Sequence, residues 1–208
     1  MVQDKLEKSL IDFRISPVKS TTISVSYFIA NFLVTLMIMG CVLVVGCIYL
    51  AAVGWYIPAG DFFLIIVDIL CCVLFGTLLS TVVCSFVNTQ GASSGVSTMV
   101  SSMYGFICGA YMPLSQFASG LRNILCCLPG TYGVGILRNH FMNGYIKEFG
   151  RQGIPDSALT GIKDAFDGNL YVGSTQIPLW AMYVILLGAC AVLLGAYVAI
   201  VVLKSKKK

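Results

Sequence analysis

The chain has 208 residues, of which 58% are hydrophobic and only 11% are charged. A soluble domain has about 25% charged residues, so this chain has too little polar surface to cover a water-exposed globule. The composition excludes a soluble globular domain and predicts an all-α integral membrane protein. The net charge is +4, and the two tails carry many of the cations. Because Lys and Arg near span ends favour the cytoplasmic side, both termini are predicted to be cytoplasmic and the number of spans even.

The amino-terminal segment 1–20 is predicted to form an amphipathic helix on the cytoplasmic surface, followed by a turn. Leu6, Leu10 and Phe13 recur at a helical spacing, and Pro17 disfavours a helical conformation at the residue before it. Contact with a partner protein and simple anchoring at the membrane interface both fit this pattern.

Apolar segments predict four transmembrane helices, at residues 24–53, 62–83, 98–112 and 178–203. The second of them contains Asp68, the only charged residue inside a clear span. An ionisable side chain at such depth is expensive and is expected to face the protein interior or a wet cavity. Asp68 lies less than two turns from the outer end of its span, so contact with the lipid headgroups is the alternative.

The third predicted span has small residues before and within it. A polar, uncharged inner loop at 84–97 precedes it, and this loop fits either close helix packing or a flexible turn. Gly105 and Gly109 are spaced so that two helices can approach closely. In the last span, Trp180 and Tyr183 are expected to anchor the outer end at the interface, and the basic tail 204–208 stops the span on the cytoplasmic side.

Two prolines, Pro113 and Pro129, bracket the apolar segment 114–128. A transmembrane helix needs about 20 residues, so this segment is too short to cross a bilayer. Each proline is expected to end or kink a helix, because proline lacks a backbone donor and clashes with the preceding turn. The region 113–138 is therefore predicted to be a re-entrant or interfacial helical hairpin, covered by protein or by a wet cavity.

The polar segment 139–177 is predicted to be an outer loop. Within it, Leu159, Ile162 and Phe166 recur at a helical spacing, which predicts a short helix over 156–166.

No known catalytic motif accompanies these segments. The sequence lacks a Gly-x-x-x-x-Gly-Lys phosphate loop and a His-Glu-x-x-His metal motif. Its nine cysteines lack zinc-type spacing, and no metal or catalytic role is expected for the only histidine, His140. We therefore predict that the chain is not an enzyme and binds no metal or cofactor of its own.

Three motifs occur in a characteristic order. They are Gly109-Ala110-Tyr111-Met112-Pro113, then Leu128-Pro129-Gly130-Thr131-Tyr132, then Leu137-Arg138. This order resembles the distal half of the ABC-2 type permeases, the membrane subunits of exporters driven by a separate ATPase. The segment 12–19 is similar to the family segment that precedes the third span. The resemblance implies an ABC-2 type transmembrane domain over 21–203 and a chain that is the carboxy-terminal portion of a permease, truncated or split, with the first two spans missing.

The resemblance also implies partners, sites and cargo. The partners would be an ABC ATPase subunit that binds ATP and Mg²⁺, a second permease copy in a homo- or heterodimer, and the lipid bilayer of the cytoplasmic membrane; no nucleic acid is expected. The candidate residues are Asp12, Arg14 and Pro17 for ATPase coupling, and Gly109, Pro113, Pro129, Tyr132 and Arg138 for an outer gate. Spans rich in apolar and small residues favour efflux of an amphipathic substrate such as a drug, a lipid or a peptide.

Two alternatives remain open at this point. A non-transporting membrane protein, such as an assembly factor, an immunity protein or a truncated remnant, would fit the same hydropathy. A pore fits less well, because its polar stripe would consist only of Asp68 and scattered hydroxyl groups.

Overall fold

The computed structural model describes residues 20–87, 89–172 and 175–206. The amphipathic helix predicted at the amino terminus therefore lies outside the described residues. The described chain is almost entirely helical. Its elements are α1 (Ser20–Val53), α2 (Ala59–Phe86), α3 (Gln90–Ile107), a 3₁₀ turn (Leu114–Gln116), α4 (Ser119–Leu125), α5 (Pro129–Arg151), α6 (Asp156–Ala165), β1 (Tyr171–Val172), β2 (Thr175–Gln176) and α7 (Leu179–Lys206). The two strands pair in an antiparallel hairpin.

Three helices are long and apolar enough to cross a membrane within the described ranges: Thr22–Val53, Ala59–Phe86 and Leu179–Val202. They correspond to three of the predicted spans and confirm the all-α membrane class. The other predicted span, 98–112, falls partly in α3, which ends at Ile107 and is not one of the three. The count of four spans therefore stays a prediction.

The helix α2 is the centre of the bundle and packs against α1, α5 and α7. The start of α1 and the end of α7 lie at the same end of the bundle. There the Tyr197 hydroxyl donates to the Ser24 carbonyl over 2.9 Å, and the rings of Phe28 and Tyr197 are 6.4 Å apart. We call this the tail end, and the opposite end, which contains the connection 54–58 between α1 and α2, the linker end.

The chain returns from the tail end to the linker end along two helices, α3 and α5. The end of α3 meets the start of α5, where a Cβ on Gly130 would lie 2.5 Å from the Tyr104 hydroxyl. The end of α5 reaches the linker, where a Cβ on Gly144 would lie 2.0 Å from the Tyr56 carbonyl oxygen. Glycine is therefore required at residue 144 for this close backbone approach.

The helix breaks differ from those expected at the two prolines. The helix α3 ends at Ile107, before Pro113, and Gly109 follows it with a φ of 76°, in the left-handed region. The Ala110 amide donates to the Gly105 carbonyl and the Gly109 amide to the Phe106 carbonyl, which is a Schellman cap. Pro129 begins α5 instead of ending a helix, because proline is tolerated in the first helical turn, where its missing N–H has no helical acceptor.

Two predicted loops are largely helical. Most of the predicted inner loop 84–97 belongs to the end of α2 and the start of α3. The helix α5 continues to Arg151, so the first part of the predicted outer loop 139–177 is also helical. The short helix predicted over 156–166 is confirmed as α6, with Leu159 buried.

Candidate functional site: a buried triad and a polar clamp

Three polar side chains from three different helices meet inside the bundle. Asp68 on α2 lies with its Oδ2 2.6 Å from Nδ1 of His140 on α5, and its Oδ1 accepts a hydrogen bond from the hydroxyl of Tyr183 on α7. Asp68 is 1% exposed and His140 is 5% exposed. We call these three residues the buried triad.

The buried triad lies beside an apolar cluster. Ile65 and Ile69 from α2 flank Asp68 in sequence, and Leu137 and Phe141 from α5 pack against them. In such apolar surroundings, a buried carboxylate without hydrogen-bond partners costs free energy. Each oxygen of Asp68 has a hydrogen-bond partner here. The triad therefore joins α2, α5 and α7 through one carboxylate.

Sequence reasoning found one of these three residues. It singled out Asp68, and the structure places this side chain in the protein interior. His140 could have been singled out because it is the only histidine in the chain. Nothing in the sequence indicates that it pairs with an acid 72 residues away. Tyr183 was expected to be an interface anchor, whereas its hydroxyl points to Asp68; its neighbour Trp180 is 70% exposed.

A second polar cluster surrounds Arg138, about half a turn before His140 on α5. Its guanidinium lies 3.2 Å from Oδ2 of Asp167. It also donates to the carbonyls of Gly109, of Ala110 at 3.3 Å and of Phe166 at 3.3 Å. One arginine thus joins the end of α3, the middle of α5 and the turn after α6, and we call Arg138 and Asp167 the polar clamp.

Asp167 has an unusual backbone conformation that its side chain compensates. Its φ is 55°, in the left-handed region that Asp and Asn tolerate better than other non-glycine residues. Its carboxylate accepts from the amides of Leu114 and Ser115, the latter at 3.0 Å. The Asp167-Gly168 pair is a turn signal that the sequence did contain, but it did not indicate a partner for Arg138.

The clamp holds together a cap, which we define as residues 109–128 and 156–177 without the undescribed 173 and 174. The hydrophobic centre of the cap contains buried Leu114, Leu125, Cys126 and Leu170, packed against Tyr132, Ile136 and Met182. The segment 114–128 contains a 3₁₀ turn and the short helix α4, and its being a re-entrant or interfacial hairpin stays a prediction. Its depth in the membrane stays a prediction.

The five outer-gate candidates all lie in or beside this cap. Gly109 forms the cap of α3, Pro113 precedes the 3₁₀ turn, Pro129 begins α5, Tyr132 donates from its hydroxyl to the Cys126 carbonyl over 2.6 Å, and Arg138 forms the clamp. The structure brings Gly109 and Arg138 into direct contact. Their role in a gate stays a prediction.

The ATPase-coupling candidates, Asp12, Arg14 and Pro17, lie outside the described residues. Within the described ranges, no group of three or more His, Cys, Asp or Glu side chains could hold a metal ion.

Comparison with known proteins gives one match. A family model described as ABC-2 type transporter matches residues 1–142, which is more than half of the chain. No curated protein and no solved structure gives a significant match to the chain. The matched range includes the amino-terminal segment, the first two candidate spans, the cap residues 109–128 and the part of α5 that carries Arg138 and His140.

Proposed function

Because the chain belongs to the ABC-2 type transporter family, whose members are membrane components of ABC-type transporters, we propose that it is the permease subunit of an exporter. The proposed substrate is amphipathic, such as a drug, a lipid or a peptide, and a separate ATPase subunit supplies the energy. The match of the family model over residues 1–142 carries this proposal. A second permease copy, identical or related, completes the proposed transporter.

Continuous packing supports a mechanical link between the two ends of the bundle. In the proposal, the ATPase binds segment 1–20, which precedes α1 in the sequence. The helix α1 packs on α2, where Leu36 and Leu43 contact the cluster around Ile65. The buried triad joins α2 to α5 and α7, and the polar clamp joins α5 to the cap. A movement started at the tail end therefore reaches the cap through packed and hydrogen-bonded contacts.

Transport requires two states of this assembly that nucleotide favours unequally. In the proposed cycle, dimerisation of ATP-bound ATPase subunits favours one arrangement of the permease pair, and hydrolysis restores the other. The triad keeps the three helices together as a unit, and the cap is the part that opens toward the far side.

A groove of about 430 Å³ between α2 and α3 supports the proposal that the substrate is amphipathic. Its lining is mainly apolar, with hydroxyl groups from Ser80, Ser93, Ser97, Ser101 and Tyr104. The helix α3 has no buried residue among its described side chains, so its surface is available to a substrate or to a second permease copy.

Co-purification tests the proposal. The chain is purified from its own host through an affinity tag, and ABC-type ATPase subunits are quantified by mass spectrometry. We expect Arg14→Glu to reduce the bound ATPase severalfold without changing membrane insertion. The control is Arg151→Glu at the end of α5, where the arginine side chain is 80% exposed. Absence of any ATPase with the wild-type chain would favour a non-transporting membrane protein.

Labelling tests the orientation of the chain. In a cysteine-free background, Asp156→Cys and Lys206→Cys are treated with an impermeant maleimide in sealed cells. The proposal expects labelling at 156 from outside and at 206 only after the membrane is opened. Labelling of both from the same side would contradict the four-span topology, in which the last span separates the two positions.

A further inference from the structure

The cap contains a cavity of about 370 Å³ at its surface, which we call the cup. The cup lies between the 3₁₀ turn, α4, α6 and β1. Its lining includes Leu114, Arg122, Asp164, Leu170 and Tyr171. A cationic side chain and an anionic side chain therefore line the same small cavity.

Arg122 on α4 is the cation of the cup. Its guanidinium carbon lies 5.9 Å from the centre of the Tyr171 ring, and its side chain has no hydrogen-bond or ion-pair partner among the described residues. Arg138, by contrast, is fully engaged in the polar clamp. A half-buried guanidinium carries five N–H donors in a fixed fork that matches phosphate and carboxylate groups.

Two acids line the cup, Asp164 and Asp167, and Asp167 is already paired with Arg138 in the polar clamp. The Oδ1 of Asp164 accepts from Nδ2 of Asn169 over 2.8 Å and from the hydroxyl of Tyr171 over 3.1 Å. Burial, followed by this hydrogen bond, raises the pKa of Tyr171, so the phenol stays a donor at neutral pH. The second oxygen of Asp164 has no hydrogen-bond partner in the described part of the chain and is available to a cationic group.

The cup lies at about the same depth along the bundle as Trp180, an exposed aromatic residue at the start of α7. Leu114 and Leu170, which line the cup, belong to the same buried cluster as Met182 at the start of α7. Trp180, two residues earlier, is 70% exposed, and exposed Trp at a span end marks the headgroup level of a bilayer. On α4, Ile124 is a 66% exposed apolar side chain. The helix that carries Arg122 thus also presents an apolar surface to its surroundings.

We propose that the cup binds the headgroup of a zwitterionic phospholipid. The phosphate takes the open donors of Arg122, the ammonium group takes the second oxygen of Asp164, and the acyl chains follow the exposed apolar face of α4. The proposal is argued from the residues of the cup alone and does not depend on the proposed exporter function.

Calorimetric titration of the full-length chain in detergent with dihexanoyl phosphatidylethanolamine tests the phosphate contact. We expect Arg122→Gln to weaken binding roughly tenfold or more, because a charge-assisted bond to phosphate is lost. Arg122→Lys should retain part of the affinity, since it keeps the charge but not the fork. Arg151→Gln removes the same charge from an exposed position and should leave the affinity for the lipid unchanged. Equal binding by the Arg122→Gln and Arg151→Gln variants overturns the proposal, provided that both unfold at the wild-type temperature.

A second variant tests the ammonium contact. Asp164→Asn keeps an oxygen that can accept from Asn169 and Tyr171, so the local fold should persist. We expect it to lower the affinity for phosphatidylethanolamine severalfold and to leave the affinity for phosphatidylglycerol, which has no ammonium group, unchanged or higher. An equal change for both lipids would refute a zwitterion site.

A soluble compound with the same headgroup tests whether the ligand of the cup is a lipid. Free phosphoethanolamine carries the same two charges without acyl chains. We expect it to bind at least roughly tenfold more weakly than the short-chain lipid, because it cannot bury apolar surface against α4. Equal affinity for the two would assign the cup to a soluble phosphate compound and overturn the lipid assignment.

Discussion

The buried triad and the polar clamp both attach α5 to its neighbours through an acid, yet their surroundings differ. The Asp68 side chain is fully buried and is held by side chains from two other helices. The Arg138 side chain remains 22% exposed, and three of its acceptors are backbone carbonyls. The triad therefore fixes whole helices relative to one another, whereas the clamp fixes the path of the irregular cap.

Because of this difference, mutations in the buried triad and in the polar clamp should affect the stability of the protein differently. Loss of a triad member leaves polar groups without partners in an apolar interior, so the whole bundle should become less stable. Loss of Arg138 leaves a buried Asp167 carboxylate that still accepts from two backbone amides, so the effect should be smaller and confined to the cap.

The largest effect is expected for Asp68→Ala. Removing the carboxylate leaves the His140 imidazole and the Tyr183 hydroxyl without their acceptor, which should lower the free energy of unfolding by about 3 kcal/mol. Denaturant unfolding in mixed micelles, followed by tryptophan fluorescence, measures this loss. Asp61→Ala is the matched control: the Asp61 side chain is 13% exposed, so a loss of about 1 kcal/mol is expected.

A double variant sharpens this result. Replacing a buried polar pair by apolar residues of similar volume is often neutral. Asp68→Leu with His140→Leu should therefore be more stable than Asp68→Leu alone in the same unfolding assay. If the double variant is the less stable one, His140 stabilises the bundle through contacts other than its bond to Asp68.

An intermediate effect is expected for Arg138→Gln. The variant loses the ion pair with Asp167 and several backbone acceptors, which should destabilise the cap by about 1–2 kcal/mol. Cys126, which is 2% exposed in the centre of the cap, should then react faster with maleimide. Site-resolved mass spectrometry measures the rate, with Arg151→Gln as the control. An unchanged rate at Cys126 would show that the clamp does not hold the cap closed.

An effect no larger than that of Arg138→Gln is expected for Gly109→Ala. A Cβ forced to a φ of 76° should cost about 1–2 kcal/mol, and it would lie 3.0 Å from Cγ of Leu114. Gly120→Ala on α4 is the control, because its Cβ would meet open space and alanine favours a helix by up to about 1 kcal/mol. The same micellar unfolding assay compares the two variants. Similar losses for both would mean that the Schellman cap of α3 contributes nothing specific.

The sequence by itself determined the membrane class, the three apolar helices α1, α2 and α7, and the short helix α6. These features depend on local properties, namely the length of an apolar run and the period of its side chains. The family resemblance also came from the chain alone, and the match over residues 1–142 confirmed it.

Only the tertiary structure decided which polar residues meet. Asp68 and His140 are distant in sequence, and Arg138 acquires its partner from a turn after α6. The helix α5 also extends through a polar segment that hydropathy assigned to a loop, with Gly144 against the Tyr56 backbone. The physical reason is that packing and hydrogen bonds between helices, which no local pattern encodes, bring such helices together once apolar surface already lies in lipid.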